Sequence, residues 1–91
     1  MYLHLGQDTV IKTDEVVGIF DLDTATISKY TREYLAQAEK KGKVVNVSME
    51  LPKSFVVCSC PQGGVKVYIS QISSSTLLKR TNYMDEISNV N

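Results

Sequence analysis

The stretch SFVVCSCPQGGVKVYIS, residues 54–70, decides the fold because it is the strongest β-hairpin signal in the chain. Two runs rich in valine, isoleucine and aromatic side chains flank a Pro-Gln-Gly-Gly loop at residues 61–64, a composition that predicts two paired strands and their turn. With a four-residue loop, the residues that face each other across the strands are Cys60 with Val65, Cys58 with Val67, and Val56 with Ile69. This face is apolar throughout, so we expect both cysteines to point into the core.

The spacing of the two cysteines bears on metal binding. One residue separates Cys58 from Cys60, which places both side chains on one face of a strand. A zinc site usually takes four Cys, His or carboxylate ligands, and its cysteines usually follow a C-x₂₋₄-C spacing. The chain has one histidine, His4, which is far away in sequence. We therefore interpret the cysteines as small buried hydrophobic side chains, and we predict no metal and no cofactor.

Further strands precede this hairpin. Residues 2–5 and 9–12 flank a Gly-Gln-Asp turn, so we expect the chain to open with a second hairpin. The run Val-Val-Gly-Ile-Phe, residues 16–20, is continuously apolar, which is typical of a central strand that is covered on both faces. Residues 43–48 form the last of these predicted strands, and a loop at residues 49–52 leads from them to the central hairpin.

A helix is predicted after the third strand. One helical face carries residues at the i, i+3, i+4, i+7 spacing of an amphipathic helix, namely Ile27, Tyr30, Thr31, Tyr34, Leu35 and Ala38. Asp21 and Asp23 precede the helix as turn and N-cap candidates. Lys40 and Lys41 place cations at its C-terminal end, where the helix dipole favours them, and Gly42 then ends it.

These elements predict one α+β domain. We expect a small, mostly antiparallel sheet of five to six strands, one amphipathic helix after the third strand, and a short C-terminal helix. The chain has 91 residues, enough for one domain, which we place at residues 1–84, followed by a polar C-terminal tail at residues 85–91. A domain of this size buries only about 60–65% of its unfolded surface, so self-association would stabilise it considerably.

The nonapeptide ISSSTLLKR, residues 72–80, has two interpretations. Hydroxyl residues before an apolar pair are typical of a helix start, and Ser74 or Ser75 is the expected cap. The start of a helix with several hydroxyls is also a place where an anion binds. No glycine-rich phosphate loop precedes it. The hydroxyl residues therefore have two possible roles: they cap the helix only, or they cap it and also contact a DNA backbone phosphate.

Charge and its distribution limit how the chain could bind DNA. Ten basic and ten acidic side chains cancel, which argues against DNA binding over the whole surface, because counterion release drives such binding. A local patch remains compatible with zero net charge. The hairpin leads directly into the last helix, so the best candidate patch is Lys53, Lys66, Lys79 and Arg80. Such clusters also occur as ordinary solvated surfaces.

Catalysis has little support in the sequence, and we predict no enzyme and no small-molecule substrate. His4 lies between two leucines without a nucleophile motif around it, and we interpret it as an exposed or edge-strand histidine. Asp21 and Asp23 flank a strand end, where paired carboxylates sometimes bind metal, but they are better explained as turn and cap residues. Tyr68 is expected on a partly polar strand face, which makes it a candidate for a subunit interface.

The sequence also bears on where the protein acts. No apolar run approaches the roughly 20 residues that a membrane-spanning helix needs, and the N-terminal residues MYLHLGQD lack the basic start and apolar core of a signal peptide. We expect a cytoplasmic protein without membrane contact.

Four motifs stand out in order along the chain: MYLHLGQD at residues 1–8, VVGIFDLD at 16–23, LPKSFVV at 51–57 and KVYISQISSSTLLKR at 66–80. With this order and spacing they resemble the RemA/RemB family of bacterial extracellular-matrix regulators, and the RemB branch most closely. The resemblance implies a DNA-binding regulator of biofilm-matrix genes. For the RemA branch it further implies closed homo-oligomeric rings with double-stranded DNA running along the outside.

The chain departs from the RemA branch at its DNA-contacting loop. That branch has adjacent arginines before the central hairpin, where this chain has Glu50 and Leu51, and only Lys53 remains basic. Glu15 likewise stands where the RemA branch tends to have a basic residue. The resemblance therefore leaves two functions open: a DNA-binding regulator, or a structural or protein-interaction module of the same fold that has lost direct DNA binding.

Overall fold

The computed structural model describes residues 1–22 and 28–81, and these residues form an α+β fold, as predicted. The strands are β1 (Tyr2–Gly6), β2 (Thr9–Lys12), β3 (Val16–Asp21), β4 (Val44–Asn46), β5 (Ser54–Ser59) and β6 (Val65–Ser70). Helix α1 comprises Lys29–Lys40, a 3₁₀ turn spans Thr13–Glu15, and helix α2 comprises residues 74–81. None of the helices within the described ranges is long and apolar enough to cross a membrane. The predicted tail at residues 85–91 lies outside these ranges, as do Asp23 and Ile27.

The strands form two sheets rather than the single sheet that the sequence predicts. β1 and β2 pair as a separate hairpin, whereas the other four strands form a sheet in the order β3-β5-β6-β4. The β3–β5 and β5–β6 pairs are antiparallel, and the β4–β6 pair is parallel. The β1–β2 hairpin stays separate because its buried side chains, Leu3, Leu5 and Ile11, pack with Val56 of β5 in one apolar cluster.

The register of the central hairpin differs from the prediction by one residue. Ser59 faces Val65 and Cys58 faces Lys66, so the loop has five residues, 60–64, instead of four. Cys60 N donates to Gly64 O at 3.0 Å, which closes the loop. A slip of one residue changes which side chains share a face. Cys58 is buried, as predicted, but Val67 lies on the opposite face with Phe55 and Val57. Cys60 lies in the loop and is only partly buried.

This register gives the four-stranded sheet two apolar faces. Phe55 and Val57 of β5 join Val67 of β6 and Ala38 of α1 in one cluster. The opposite face of β5 carries Val56 and Cys58, which pack with the β1–β2 hairpin and with Leu77 of α2. The sheet therefore lies between α1 on one side and the hairpin with α2 on the other, a three-layer arrangement.

β3 is an edge strand among the described residues, not the central strand that its apolar run predicts. Val16 and Ile19 pack against the cluster on the hairpin side. A register irregularity between Val16 and Gly18 interrupts the pairing with β5 at Val17, which is largely exposed. The continuous apolar run therefore reflects one buried face and one face that the chain itself leaves open.

Helix α1 packs through fewer side chains than its sequence pattern predicts. Ala38 is buried and Leu35 is partly buried against the sheet. Tyr30 and Tyr34, which we expected on the buried face, are both exposed. α1 lies nearest to β4 and β6, and Tyr30 and Tyr34 border an open groove together with Phe20 of β3 and Phe55 of β5. This arrangement creates the groove described below.

Candidate functional site

The hydroxyl run caps helix α2, and the cap lies one residue earlier than predicted. Ser73 Oγ accepts from Thr76 N at 3.3 Å and lies 2.9 Å from Thr76 Oγ1. Ser73 is therefore the N-cap, with its oxygen bonding the third backbone N–H of the helix. We expected Ser74 or Ser75 in this role because sequence alone does not distinguish three consecutive serines.

Lys53 lies at the end of the four-stranded sheet and has a well-fixed backbone. Its N donates to Ser70 O at 2.9 Å, and its O accepts from Leu22 N at 3.0 Å. The neighbouring Ser54 Oγ donates to Ile72 O at 2.7 Å, which joins this end of β5 to the residue just before the Ser73 cap. Lys53 is exposed, and it therefore lies at the same end of the sheet as the start of α2.

Lys66 lies near the opposite end of the hairpin. It is four residues before Ser70 on β6, and four strand residues span about 13 Å. Its Nζ lies 6.0 Å from the ring centroid of Tyr68, at the outer limit of a cation–π contact. Glu15 reaches the same end, since its backbone O accepts from Ser59 Oγ at 3.4 Å. Lys53 and Lys66 are thus separated by most of the hairpin length.

Lys79 and Arg80 lie next to each other on α2 and are both exposed. Leu77 fixes the helix because it is completely buried in the cluster with the β1–β2 hairpin. Arg80 Nη1 donates to His4 O at 2.9 Å, which ties α2 to β1. This bond uses one of the five N–H donors of the guanidinium, so the others remain available for a phosphate.

Cys58 is buried within the fold, and His4 makes a hydrogen bond within it. Burial, and next the negative charge of Glu15, raise the pKa of Cys58 to about 11, so its thiol is protonated at neutral pH. Burial also raises the pKa of Tyr68. His4 Nε2 donates to Gln7 O at 2.8 Å on the exposed side of β1. Within residues 1–22 and 28–81, no three His, Cys, Asp or Glu side chains gather in a metal-binding geometry.

Sequence reasoning missed an apolar groove between β3 and α1. We call it the aromatic groove, and its lining side chains are Val17, Phe20, Tyr30, Thr31, Tyr34, Phe55 and Val57. It encloses about 430 Å³. Phe20 stacks on Phe55, with ring centroids 4.9 Å apart and ring planes 18° apart. The signal that would have revealed it is the pair of tyrosines beside an apolar strand that turns out to be at the edge.

A second apolar feature is the loop at residues 48–52, which we call the apolar loop. Met49 and Leu51 are its exposed apolar side chains. Glu50 N donates to Ser48 Oγ at 3.0 Å, which tightens the turn. Glu50 and Leu51 stand where the resemblance implies arginines in the RemA branch, so this loop presents apolar and acidic groups where basic ones were expected.

Comparison with known proteins identifies the family. The family model described as "RemA-like: Extracellular matrix regulatory protein A-like" matches residues 2–81. The chain belongs to the RemA-like family. It is also 44% identical over 87 residues to extracellular matrix regulatory protein B of Bacillus subtilis (strain 168), an alignment that covers 96% of this chain and 98% of that protein. The family match confirms the resemblance seen in the sequence, and the similarity to protein B supports the RemB branch.

Membership of the RemA-like family indicates a regulatory role for the chain. The family is a regulatory one, and so is the similar Bacillus subtilis protein by its name. The RemA-like match at residues 2–81 includes the whole candidate basic set, namely Lys53, Lys66, Lys79 and Arg80. Their role in contacting DNA stays a prediction.

Proposed function

We propose that this chain is a cytoplasmic, oligomeric DNA-binding regulator of extracellular-matrix genes. It contacts the DNA backbone through a small basic patch that self-assembly repeats, in a ring or a comparable closed oligomer. The observation that supports this most is the setting of Lys53, whose side chain is exposed on a backbone held from both sides by β6 and Leu22. The fixed backbone sets where the side chain of Lys53 begins, so only the side chain itself is ordered when its ammonium group meets a phosphate.

The surroundings of Lys53 add a second reason. The hydroxyl-capped start of α2 lies at the same end of the sheet, because Ser54 Oγ bonds Ile72 O. Lys79 and Arg80 follow on the same helix. The N-terminus of a helix favours an anion, and cations are favourable near its C-terminus. A DNA strand that follows α2 would therefore meet the hydroxyl-capped N-terminus at one end of the helix and Lys79 and Arg80 towards the other. Lys66, near the far end of the hairpin, would contribute less.

Repetition is required because the net charge of the chain is zero. One or two phosphate contacts per subunit give weak, salt-sensitive binding. An assembly that collects six to ten such contacts would lose about 10³–10⁵ in affinity between 50 and 200 mM salt. A closed ring presents identical patches at regular intervals, so the bound duplex engages several at once.

A salt titration of labelled duplex DNA tests the proposal. Fluorescence anisotropy of the wild-type protein should show binding at low ionic strength that weakens steeply as salt rises. Lys53→Gln should lower the affinity by about tenfold or more and reduce the salt slope, because each assembled subunit loses a phosphate contact. Lys40→Gln, which removes the same charge from the end of α1, is the matched control and should bind like the wild type. Absence of binding at low salt would refute the proposal.

The alternative function is a structural or protein-interaction module of the same fold. The apolar loop favours it, because Glu50 and Leu51 would not attract a phosphate. Such a module would bind its protein partner equally well after charge reversal at Lys53 and Arg80, whereas the proposed DNA binding would be lost. Pull-down of a regulatory partner and anisotropy with DNA, both on the same double variant, separate the two functions.

A further inference from the structure

A cavity of about 250 Å³ lies between the C-terminal turn of α1 and the loop of the central hairpin. We call it the lysine cavity, and its lining includes Tyr34 and Gln37 of α1, Lys41 and Lys43 of the following turn, and Gly64 and Val65 of the hairpin. Lys53 precedes the first strand of that hairpin, whereas Gly64 ends the loop beyond the strand. The lysine cavity is therefore separate from the surroundings of Lys53.

The backbone that carries the two lysines is fixed. Gly42 N donates to Glu39 O at 3.0 Å, and Lys43 N donates to Ala38 O at 2.9 Å. These two bonds form the Schellman pattern that ends many helices. Lys43 O also accepts from Val67 N at 2.8 Å. Lys43 is thus held by α1 on one side and by β6 on the other, so the position from which its side chain extends is defined.

The hairpin loop presents bare backbone to the lysine cavity at Gly64. Lys43 Nζ lies 3.6 Å from the point that a Cβ on Gly64 would occupy. Gly64 has φ +81, a conformation that glycine adopts without strain, and its O accepts from Cys60 N at 3.0 Å. Because no side chain fills this point, a ligand has room to reach the ammonium group of Lys43.

The two charged side chains that line the cavity are both cations. In the part of the chain that the structure describes, neither Lys41 nor Lys43 has a carboxylate oxygen within 4.0 Å. Two like charges at one cavity repel each other, and an anion between them is attracted by both. Each ammonium has three N–H donors, and a phosphate offers several acceptor oxygens for charge-assisted hydrogen bonds. The charges therefore favour a phosphate group.

Tyr34 and Gln37 add an aromatic ring and an amide to the same cavity. Tyr34 is 40% exposed, so packing leaves part of its ring open to a ligand. Aromatic side chains stack on nucleic-acid bases, and an amide both donates and accepts hydrogen bonds. Pockets for drug-sized ligands enclose about 300–1,000 Å³, so the smaller lysine cavity suits a single nucleotide unit that remains partly exposed.

We propose that the lysine cavity binds a nucleoside monophosphate, with its phosphate on Lys41 and Lys43 and its base on the ring of Tyr34. This inference goes beyond the proposed function, because it assigns a small-molecule ligand to a second site. A DNA backbone also supplies phosphates, but the bases of a duplex are stacked inside it. Only a free nucleotide uses the two lysines and the ring together.

Isothermal titration calorimetry with adenosine monophosphate (AMP) tests the site. AMP should bind the wild-type protein at least about tenfold more tightly than inorganic phosphate or adenosine, because each of these carries only half of the contacts. Lys43→Gln should lower the AMP affinity by about tenfold through the loss of a charge-assisted contact. Tyr34→Ala should weaken AMP binding and leave phosphate binding unchanged. Lys40→Gln, which removes the same charge from a residue outside the cavity lining, is the matched control and should bind AMP like the wild type.

A photoreactive azido analogue of AMP locates the site. It should crosslink to residues 34–43 or 63–65, as mapped by mass spectrometry. Failure of AMP to bind at millimolar concentration, equal binding of AMP and inorganic phosphate, or crosslinks elsewhere would overturn the inference. So would a Lys43→Gln variant that loses affinity for duplex DNA but not for AMP, since the lysines would then serve the DNA backbone. None of these results depends on Lys53→Gln, so the proposed function is tested separately.

Discussion

Ser70 Oγ donates a buried 2.7 Å hydrogen bond to Leu5 O, across 65 residues of sequence. The same oxygen accepts from Ile72 N at 3.0 Å. One hydroxyl therefore fixes the end of β1 against the end of β6 and directs the chain toward α2. This junction helps to hold Lys53, whose N donates to Ser70 O, and the basic groups of α2 in their relative positions.

Ser70→Ala should lower the free energy of unfolding by about 1–3 kcal/mol, since the buried Leu5 O and the partly buried Ile72 N would lose this partner. Urea unfolding followed by circular dichroism measures the change. Ser59→Ala is the control, because Ser59 is exposed and its Oγ makes only a 3.4 Å bond to Glu15 O. Equal losses in the two variants would contradict the role of Ser70.

Leu77 and Leu78 are neighbours on α2 with opposite surroundings. Leu77 is completely buried against the β1–β2 hairpin, whereas Leu78 is exposed. Leu77→Ala should lower the free energy of unfolding by about 2–5 kcal/mol through lost contacts and a cavity. Leu78→Ala should change it by about 0.5 kcal/mol or less. If Leu78→Ala proved the more damaging in thermal unfolding, the described orientation of α2 would be wrong.

Gly6 and Gly42 both have positive φ angles, but only Gly6 is confined. Gly42 has φ +69, in the left-handed region that other residues tolerate, and open space around it. Gly6 has φ +119, and a Cβ there would lie 2.6 Å from Gln71 Nε2. Gly6→Ala should cost about 2–3 kcal/mol, and Gly42→Ala only about 1 kcal/mol. Comparison of urea midpoints tests this order.

The hydrophobic periodicity of the sequence predicted where the strands and helices lie along the chain. It did not predict every element that packs beside them. Every predicted strand forms, because alternating or continuous apolar residues report which positions are buried. The run at residues 16–20 could not reveal that its strand lies at an edge, because an apolar pattern records residue type and not whether the rest of the chain covers the residues. The tyrosines of α1 were misassigned for the same reason.

Turn geometry decided the register, and sequence did not determine it. Gly63 and Gly64 both adopt positive φ angles, which lets the loop begin at Cys60 and not at the proline. The basic candidates were identified from residue type, and the predicted hairpin already separates two of them, because Lys53 precedes its first strand and Lys66 is the second residue of its returning strand. Their distances from Lys79 and Arg80 depend on the course of α2, which the sequence does not determine.

The buried thiol of Cys58 gives a pH dependence with a definite sign. Burial raises its pKa from 9.0 to about 11, so between these values the folded protein keeps a proton that the unfolded chain loses. The free energy of unfolding should therefore fall as the pH rises through this window, by about 1.4 kcal/mol per pH unit from this group. Urea unfolding at pH 8.5 and 10.5 measures the fall.

Cys58→Ala should remove this contribution and flatten the profile, while Cys60→Ala, at the partly buried loop position, should keep it. Iodoacetamide at pH 8 should correspondingly modify Cys60 well before Cys58, because a protonated, buried thiol is a poor nucleophile. Tyrosine and lysine side chains also titrate in this range, so the informative quantity is the difference between each variant and the wild type. Parallel profiles for the wild type and Cys58→Ala would show that Cys58 has an ordinary pKa and that the loop end of the sheet is more open than described.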